Sequence, residues 1–215
     1  MSPLILAVGF LAQIFFFGRF LIQWALSEKA KKVLSPVIFW QFSIIGSFLL
    51  FVYGWLRDDF AILLGQVLSY YIYIWNLKVQ NNWQKFYPIL RYIILLTPLI
   101  AIIGLLADYQ DTITRLFKND GIPLHLLIWG SIGQIIFTFR FIYQWYYSQK
   151  LKESVLPLGF WAISIIGAFI ILAYAVYRKD PVLMLGQGTG LFVYSRNLFI
   201  LKKSNKLLTN IHHND

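Results

Sequence analysis

Seven long apolar runs, separated by short polar segments, make up most of this chain. The runs cover residues 3–26, 34–56, 60–79, 87–107, 123–147, 155–177 and 181–201. A helix of about 20 apolar residues crosses the roughly 30 Å hydrocarbon core of a bilayer, and every run has about that length or more. The pattern therefore predicts an all-α membrane protein with seven transmembrane helices, the first of them retained and not removed as a signal peptide.

Composition agrees with this interpretation. Hydrophobic residues make up 59% of the 215 positions and charged residues 13%, whereas about a quarter of a soluble domain is charged. The net charge of +10 could indicate nucleic-acid binding, but the basic residues lie mostly between the apolar runs, where they set membrane topology. We therefore expect the lipid bilayer, and no nucleic acid, as a partner.

The basic residues also predict an orientation. With the N-terminus outside, the inward segments carry Lys29, Lys31, Lys32, Lys78, Lys85, Arg91, Lys150, Lys152, Lys202, Lys203 and Lys206. The outward segments carry Arg57, Arg115, Lys118, Arg178 and Lys179. Because positive charge accumulates on the cytoplasmic side, the C-terminus is expected in the cytoplasm.

The chain contains an internal repeat. Residues 9–77 align with residues 130–198 at a constant offset of 121 positions, and about 28 of the 69 pairs are identical. Many identical pairs are polar residues, Trp or Pro, which shared apolar composition would not align. We expect three parts: a three-helix repeat at 1–85, a linker helix with an outer loop at 86–122, and a second repeat with a cytoplasmic tail at 123–215.

The unrepeated helix has a topological role. Three helices are an odd number, so two units joined directly would insert in opposite directions, and one additional crossing makes them parallel. The prediction is two parallel three-helix bundles plus a linker helix. This 3+1+3 arrangement resembles the SWEET and PQ-loop sugar transporters. Parallel-repeat transporters bind their substrate at the repeat interface.

Polar side chains within the apolar runs are the candidate binding residues, because they are costly in hydrocarbon unless they face the bundle interior, a partner or water. The first helix of each repeat carries Arg19 with Gln23, or Arg140 with Gln144, four residues apart. One interpretation is that the arginines anchor tilted helices at the membrane interface. The other is that they face a shared cavity for an anion, with phosphate the best match to a guanidinium fork.

The second and third helices carry further repeated polar groups. The pairs are Trp40 with Trp161, Ser43 with Ser164, Gln66 with Gln187, Tyr73 with Tyr194, and Asn76 with Asn197. The indoles either stack on a sugar ring or form an interfacial belt. The amide and phenol stripe either bonds sugar hydroxyls or holds helices together. Trp75 corresponds to Arg196, which predicts a cavity asymmetric in charge.

No Asp, Glu or His lies at the centre of a predicted span, and the chain has no cysteine. A buried acid–base pair and a metal site are therefore unsupported, and we expect no catalytic residue, metal or cofactor. Asp58, Asp59 and Asp180 lie at helix ends beside Arg57 and Arg178. There we expect helix capping, turn formation and a local ion pair.

Several runs resemble one family. They are Arg-Phe-Leu-Ile-Gln-Trp (19–24), Arg-Phe-Ile-Tyr-Gln-Trp (140–145), Phe-Trp-x-x-Ser-Ile-Ile-Gly (39–46 and 160–167), Leu-Gly-Gln (64–66 and 185–187) and Tyr-Ser-Arg-Asn-Leu (194–198). The chain resembles the lipid-A-disaccharide synthase N-terminal-like domain family, as a tandem repeat within the PQ-loop/SWEET superfamily. The resemblance implies envelope glycolipid metabolism in a bacterial inner membrane. The family is named for a fusion to a glycosyltransferase that these residues lack, so we expect no enzyme activity.

Three functions follow as hypotheses. The first is a transporter or flippase for an anionic lipid-linked sugar or glycolipid precursor of lipid A or envelope glycan biosynthesis. The second is a SWEET-like uniporter of free sugars, which leaves the two arginines without a role. The third is a non-catalytic membrane subunit that docks a glycosyltransferase of lipid A biosynthesis.

Overall fold

A computed structural model describes residues 2–107, 114 and 123–212 of the chain. Within them lie seven α-helices: α1 (Pro3–Ala30), α2 (Val37–Leu56), α3 (Phe60–Val79), α4 (Pro88–Ala107), α5 (Leu124–Leu151), α6 (Leu158–Tyr177) and α7 (Pro181–His212). A short 3-10 helix, Trp83–Lys85, precedes α4. Each predicted helix is present and begins at or close to its predicted start. Arg115 and Lys118 of the outer loop lie outside the described residues.

Five helices, α1, α2, α3, α5 and α6, are long and apolar enough to cross a membrane. In α4 the apolar stretch is the shorter Pro88–Ile100. The helix α7 is less apolar because it carries Gln187, Arg196 and Asn197 among its first 20 residues. The length and composition of these helices support the prediction of a membrane protein. The crossing of the bilayer by all seven helices, and the 3+1+3 arrangement, stay predictions.

Six helices form a closed ring. Each packs against two neighbours, in the order α1, α2, α3, α5, α6, α7 and back to α1. The helices α2 and α6 are therefore the middle elements of their own repeats, while α1 packs on α7 and α3 packs on α5 across the two repeats. The helix α4 contacts α3 from outside the ring.

The turns of the two repeats form in the same way. Lys31 and Lys152 end the first helix of each repeat at positive φ, 53° and 54°. Asp58 and Lys179 turn the chain between the second and third helices, both at φ 48°. Positive φ is uncommon for residues other than glycine, so its recurrence at equivalent positions reflects the duplication. The turn predicted at Asp58 is confirmed.

Candidate binding site between the repeats

A small cavity of about 50 Å³ lies inside the ring. Its polar lining comes from α1, α3, α5 and α7. Besides Ser69, whose equivalent in the second repeat is Gly190, it consists of four pairs of equivalent residues. These are Gln13 with Gln134, Arg19 with Arg140, Gln66 with Gln187, and Tyr73 with Tyr194. We call this space the arginine cavity. It lies where the two repeats meet.

The two arginines of the cavity are buried, with exposed fractions of 3% for Arg19 and 2% for Arg140. Among the described residues, neither guanidinium forms a salt bridge with a carboxylate. Arg19 Nη1 donates to the Ser43 hydroxyl. Arg140 Nη1 donates to the hydroxyls of Ser164 and Tyr194, at 3.3 Å each. The Nε atoms of both arginines have no hydrogen-bond partner, so each retains a donor for a ligand.

Aromatic rings surround both guanidinium groups. Arg19 Cζ lies 4.5 to 5.9 Å from four ring centroids, and Arg140 Cζ lies 3.3 to 5.5 Å from four others. The rings belong to Phe16, Phe20, Phe39 and Tyr73 around the first arginine, and to the equivalent Phe137, Phe141, Phe160 and Tyr194 around the second. Cation–π contact stabilises a positive charge without neutralising it. The interfacial-anchor interpretation does not account for this depth of burial.

Two amide pairs join the repeats on the Asn76 side of the cavity. Gln23 Nε2 donates to Asn197 Oδ1 at 2.9 Å, and Asn197 Nδ2 donates to Gln23 Oε1 at 3.2 Å. Gln144 Nε2 donates to Asn76 Oδ1 at 2.8 Å, and Asn76 Nδ2 donates to Gln144 Oε1 at 3.1 Å. All four side chains are fully buried. We call them the cross-repeat amide pairs, and they do not line the cavity.

A buried carboxylate joins the repeats on the other side of the cavity. The Tyr53 hydroxyl donates to the two oxygens of Asp180 at 3.0 and 3.1 Å. Arg57 forms a salt bridge with the same carboxylate and also donates to the Tyr53 hydroxyl. Asp180 is 0% exposed and accepts hydrogen bonds from the first backbone amides of α7. One side chain therefore caps a helix and joins the repeats.

The equivalent contact at Asp59 has its carboxylate in the first repeat and its tyrosine and arginine in the second. The Tyr174 hydroxyl donates to Asp59 at 2.7 Å, and Arg178 lies 3.5 Å from it. Asp59 also accepts from the Ile62 amide and so caps α3. Burial raises the pKa of Asp59, against the lowering effects of the Tyr174 hydrogen bond and the Arg178 charge. Capping is confirmed, while the ion pairs join different repeats, where the sequence predicted a local pair. We call both sets the cross-repeat carboxylate clusters.

The order of residues along α3 and α7 places the arginine cavity between these contacts. On α3, Asp59 precedes the cavity residues Gln66 and Tyr73, and Asn76 follows them. The equivalent residues of α7 follow the same order. Polar contacts between the repeats therefore flank the cavity on both sides.

The predicted binding residues separate into those that line the cavity and those that support it. Six line it: Arg19, Arg140, Gln66, Gln187, Tyr73 and Tyr194. Four form the cross-repeat amide pairs: Gln23, Gln144, Asn76 and Asn197. Ser43 and Ser164 lie behind the arginines as hydrogen-bond acceptors. Each also donates to a carbonyl one helical turn earlier.

The two tryptophans lie in the aromatic core and do not line the cavity. Trp40 and Trp161 are 0% exposed. The Trp40 ring lies 6.1 Å from Tyr73 and 6.3 Å from Phe141, and its Nε1 donates to the Ser154 hydroxyl. Both indoles are covered in this conformation, so neither presents a face for stacking on a sugar ring.

Arg196 lies outside the cavity. Its side chain is 41% exposed and bonds Glu28 at 2.7 Å. The equivalent Trp75 contacts the Trp145 ring, with centroids 6.2 Å apart. The predicted charge asymmetry of the cavity is therefore not produced by this pair, because neither Trp75 nor Arg196 lines the cavity.

Gln13 and Gln134 line the cavity but were not among the predicted site residues. A Cβ on Gly186 would lie 2.4 Å from Gln13 Oε1, and a Cβ on Gly65 would lie 1.6 Å from Gln134 Nε2. The two glycines therefore provide the space that these side chains fill. The signal was present in the sequence, since a glutamine recurs at the same position of two apolar helices.

The fold and the site define a helical, membrane-associated repeat protein with a cationic cavity between its repeats. A family model described as Lipid A Biosynthesis N-terminal domain matches residues 8–78 and again residues 129–199. The two matches are offset by 121 positions, the same offset as the internal repeat. The chain belongs to this family and is a membrane-associated domain related to lipid A biosynthesis.

Curated relatives carry the name of an enzyme. The lipid-A-disaccharide synthase of Chlamydia pneumoniae is 31% identical over 207 residues, which cover 94% of this chain and 34% of that protein. The synthase of Chlamydia abortus is 30% identical over 213 residues, with coverages of 95% and 34%. The chain spans about a third of the length of these relatives. No solved structure matches it significantly.

These relatives correct one expectation. From the sequence we expected a protein that is not an enzyme, whereas the matched relatives are synthases. A lack of acid–base groups inside the predicted spans says nothing about a reaction that the relatives carry out in the two thirds of their length that this chain does not match.

Proposed function

We propose that this chain binds a phosphate-bearing lipid-linked sugar, or a glycolipid precursor of lipid A biosynthesis, in the arginine cavity and moves it across the bacterial inner membrane. In this proposal the N-terminus is periplasmic and the C-terminus cytoplasmic. The observation that carries it is the pair Arg19 and Arg140, two buried cations on one cavity with no carboxylate partner among the described residues.

Charge favours an anionic ligand over a neutral one. Burying a cation without a counter-charge is costly, and a phosphate group would supply that charge with oxygens that match the guanidinium donors. The unpartnered Nε atoms of Arg19 and Arg140 are available for it. A free neutral sugar would leave both charges uncompensated, which counts against a SWEET-like uniporter.

The rest of the cavity suits a sugar. Gln66, Gln187, Tyr73 and Tyr194 offer amide and phenol groups beside the two arginines. Such groups can donate to and accept from sugar hydroxyls. Phosphate on the arginines would fix the position of the ligand, and these groups would then distinguish one sugar from another.

The contacts that flank the cavity on both sides support movement of the ligand. About 50 Å³ is far below the roughly 300–1,000 Å³ of typical ligand pockets, so the cavity has to enlarge to admit a sugar. The contacts that resist enlargement are the cross-repeat amide pairs at one end and the cross-repeat carboxylate clusters at the other. Opening one set while the other stays closed, by rocking of the two repeats, would give alternating access.

A second function is favoured by the comparisons. The relatives are synthases of which this chain spans about a third. In that setting the arginine cavity would hold a phosphate-bearing glycolipid and present it to a glycosyltransferase, either in the same chain or as a partner protein. The same phosphate site serves both functions, and only movement across the bilayer separates them.

The decisive experiment compares two variants in proteoliposomes that contain a fluorescent polyprenyl-phosphate sugar. Arg19→Gln with Arg140→Gln should reduce its movement between leaflets at least tenfold, while Arg196→Gln, outside the cavity, should leave it unchanged. Full movement with the double variant at normal expression would overturn the assignment of the phosphate site. Arginine-dependent binding without movement would favour presentation to a glycosyltransferase.

A further inference from the structure

An apolar groove lies between α1 and α7 on the outer surface of the ring. It measures about 430 Å³ and is lined by Phe10, Gln13, Ile14, Phe17, Leu185 and Thr189. Its four α1 residues are spaced i, i+3, i+4 and i+7, so they share one helix face. The apolar side chains of this lateral groove are open, with 66% of Ile14 and 49% of Leu185 exposed. Because α1 is apolar enough to cross a membrane, we expect this groove to face lipid chains.

Gln13 connects the lateral groove with the arginine cavity. It lines both spaces and is 7% exposed. Its amide fits against Gly186, which also lines the cavity. Gln13 therefore forms part of the boundary between the cationic interior and the lipid-facing surface, and movement of this one side chain would widen the connection.

The second repeat does not reproduce the lining of the groove. Gln134 is equivalent to Gln13, but Phe10 and Phe17 correspond to Ser131 and Thr138. A glutamine is thus present at both interfaces between the repeats, α1 with α7 and α3 with α5. The two phenylalanines are present only at the interface of α1 with α7. A ligand with a polar end and a single apolar end would use such an arrangement, because it needs one lateral exit for its hydrocarbon.

We propose that the lateral groove binds the hydrocarbon chain of a phosphate-bearing lipid whose phosphate lies on Arg19 and Arg140. This inference rests on the phosphate site of the proposed function and adds the lipid part of the ligand. A cavity of about 50 Å³ has no space for a hydrocarbon chain, so the chain has to leave the ring. The lateral groove offers an apolar surface that reaches the cavity at Gln13.

Photo-crosslinking tests this placement directly. The full chain is placed in phosphatidylcholine nanodiscs with a polyprenyl phosphate that carries a diazirine in its tail, and labelled residues are mapped by mass spectrometry. Labelling is expected at residues 10–17 and 185–189, and an excess of unlabelled polyprenyl phosphate should reduce it about tenfold, as competition for one site requires. The equivalent segment 131–138 should give background that does not compete. Equal, non-competing labelling of both segments would overturn the proposal.

A pair of double variants separates this inference from the phosphate site. Phe10→Ser with Phe17→Thr introduces the residues of the second repeat, and Ile128→Ser with Ile135→Ser changes exposed residues at the same i, i+7 spacing on α5. The first should weaken binding of polyprenyl phosphate about tenfold and leave a tail-less sugar phosphate unaffected, a selective loss of affinity for the tail. The α5 variant should change neither.

The outcomes of these variants are distinct. If Arg19→Gln with Arg140→Gln abolishes binding of both probes while the Phe10 and Phe17 variant changes neither, the groove assignment is wrong and the phosphate site stands. If the arginine variant also leaves both affinities unchanged, the proposed function fails with it.

Discussion

Gln23 and Asn197 lie 174 positions apart and exchange two hydrogen bonds between fully buried amides. Because one residue belongs to α1 and the other to α7, this contact closes the ring of six helices. The equivalent pair Gln144 and Asn76 closes the other interface between the repeats. Each repeat therefore supplies both partners of this contact, as expected for an isologous interface.

Removing one member of the amide pair should destabilise the protein. Asn197→Leu removes the donor to Gln23 Oε1 and leaves that buried oxygen unpaired, which costs about 1–3 kcal/mol, while Gln23 Nε2 still donates to Ser27 and Leu34. Gln23→Leu with Asn197→Leu should recover part of that loss, since no unpaired amide remains. Thermal unfolding in detergent, arranged as a double-mutant cycle, measures the coupling. Additive effects of the two substitutions would show that the pair contributes nothing.

A substitution in a cross-repeat carboxylate cluster should destabilise the protein more than one in an amide pair. Asp180→Asn leaves Arg57 without its negative partner in a mostly buried position, and breaking a buried ion pair costs about 3–5 kcal/mol. Arg57→Met with Asp180→Asn should be less destabilised than Asp180→Asn alone, because the uncompensated charge is gone. The measurement is the unfolding midpoint of the three variants in the same detergent.

Replacing an arginine of the cavity should weaken phosphate binding without lowering the stability of the ligand-free protein. Arg19→Gln removes a buried cation that has no carboxylate partner among the described residues, so the ligand-free protein should unfold at the same or a higher temperature. Arg19→Lys keeps the charge but loses the planar fork, so its affinity for phosphate should fall between those of the wild type and Arg19→Gln. Thermal unfolding with and without a sugar phosphate measures both properties. A marked destabilisation of ligand-free Arg19→Gln would indicate a structural role.

Close helix packing should be sensitive at Gly167. A Cβ there would lie 2.7 Å from the Phe137 Cα of α5, and a backbone cannot move aside as a side chain can. Gly167→Ala should therefore destabilise the protein by about 1–3 kcal/mol. Gly188→Ala is the matched control, because nothing lies within 4 Å of its Cβ. It should be neutral or stabilising by up to about 1 kcal/mol.

Much of this fold could be predicted because the length of each apolar run and the recurrence of polar residues are visible in the sequence alone. Each of the seven apolar runs corresponds to one helix among the described residues, and the offset of 121 positions recurs in the two family matches. Repetition also identified Arg19 and Arg140, since two isolated cations in apolar helices have few stable environments. These inferences needed no knowledge of which helix packs on which.

Other features depend on packing between the repeats, which periodicity does not encode. Both Asn76 and Gln66 recur in the second repeat, and the sequence does not distinguish their roles. In the structure Asn76 bonds Gln144, whereas Gln66 lines the cavity. The partner of Asp180 could not be identified either, because Arg57 is 123 positions away while Arg178 is only two positions away. Only the order of helices around the ring decides these cases.

The position of α4 outside the ring has a consequence for the history of the protein. The contacts that close the ring are made by the two repeats themselves, and neither the cross-repeat amide pairs nor the cross-repeat carboxylate clusters use a residue of α4. An ancestor with a single repeat could have assembled the same ring from two identical subunits. Joining the two copies in one polypeptide released them from the requirement to be identical. The first repeat has Phe10 and Trp75 where the second has Ser131 and Arg196. A dimer of identical subunits could not have acquired such differences.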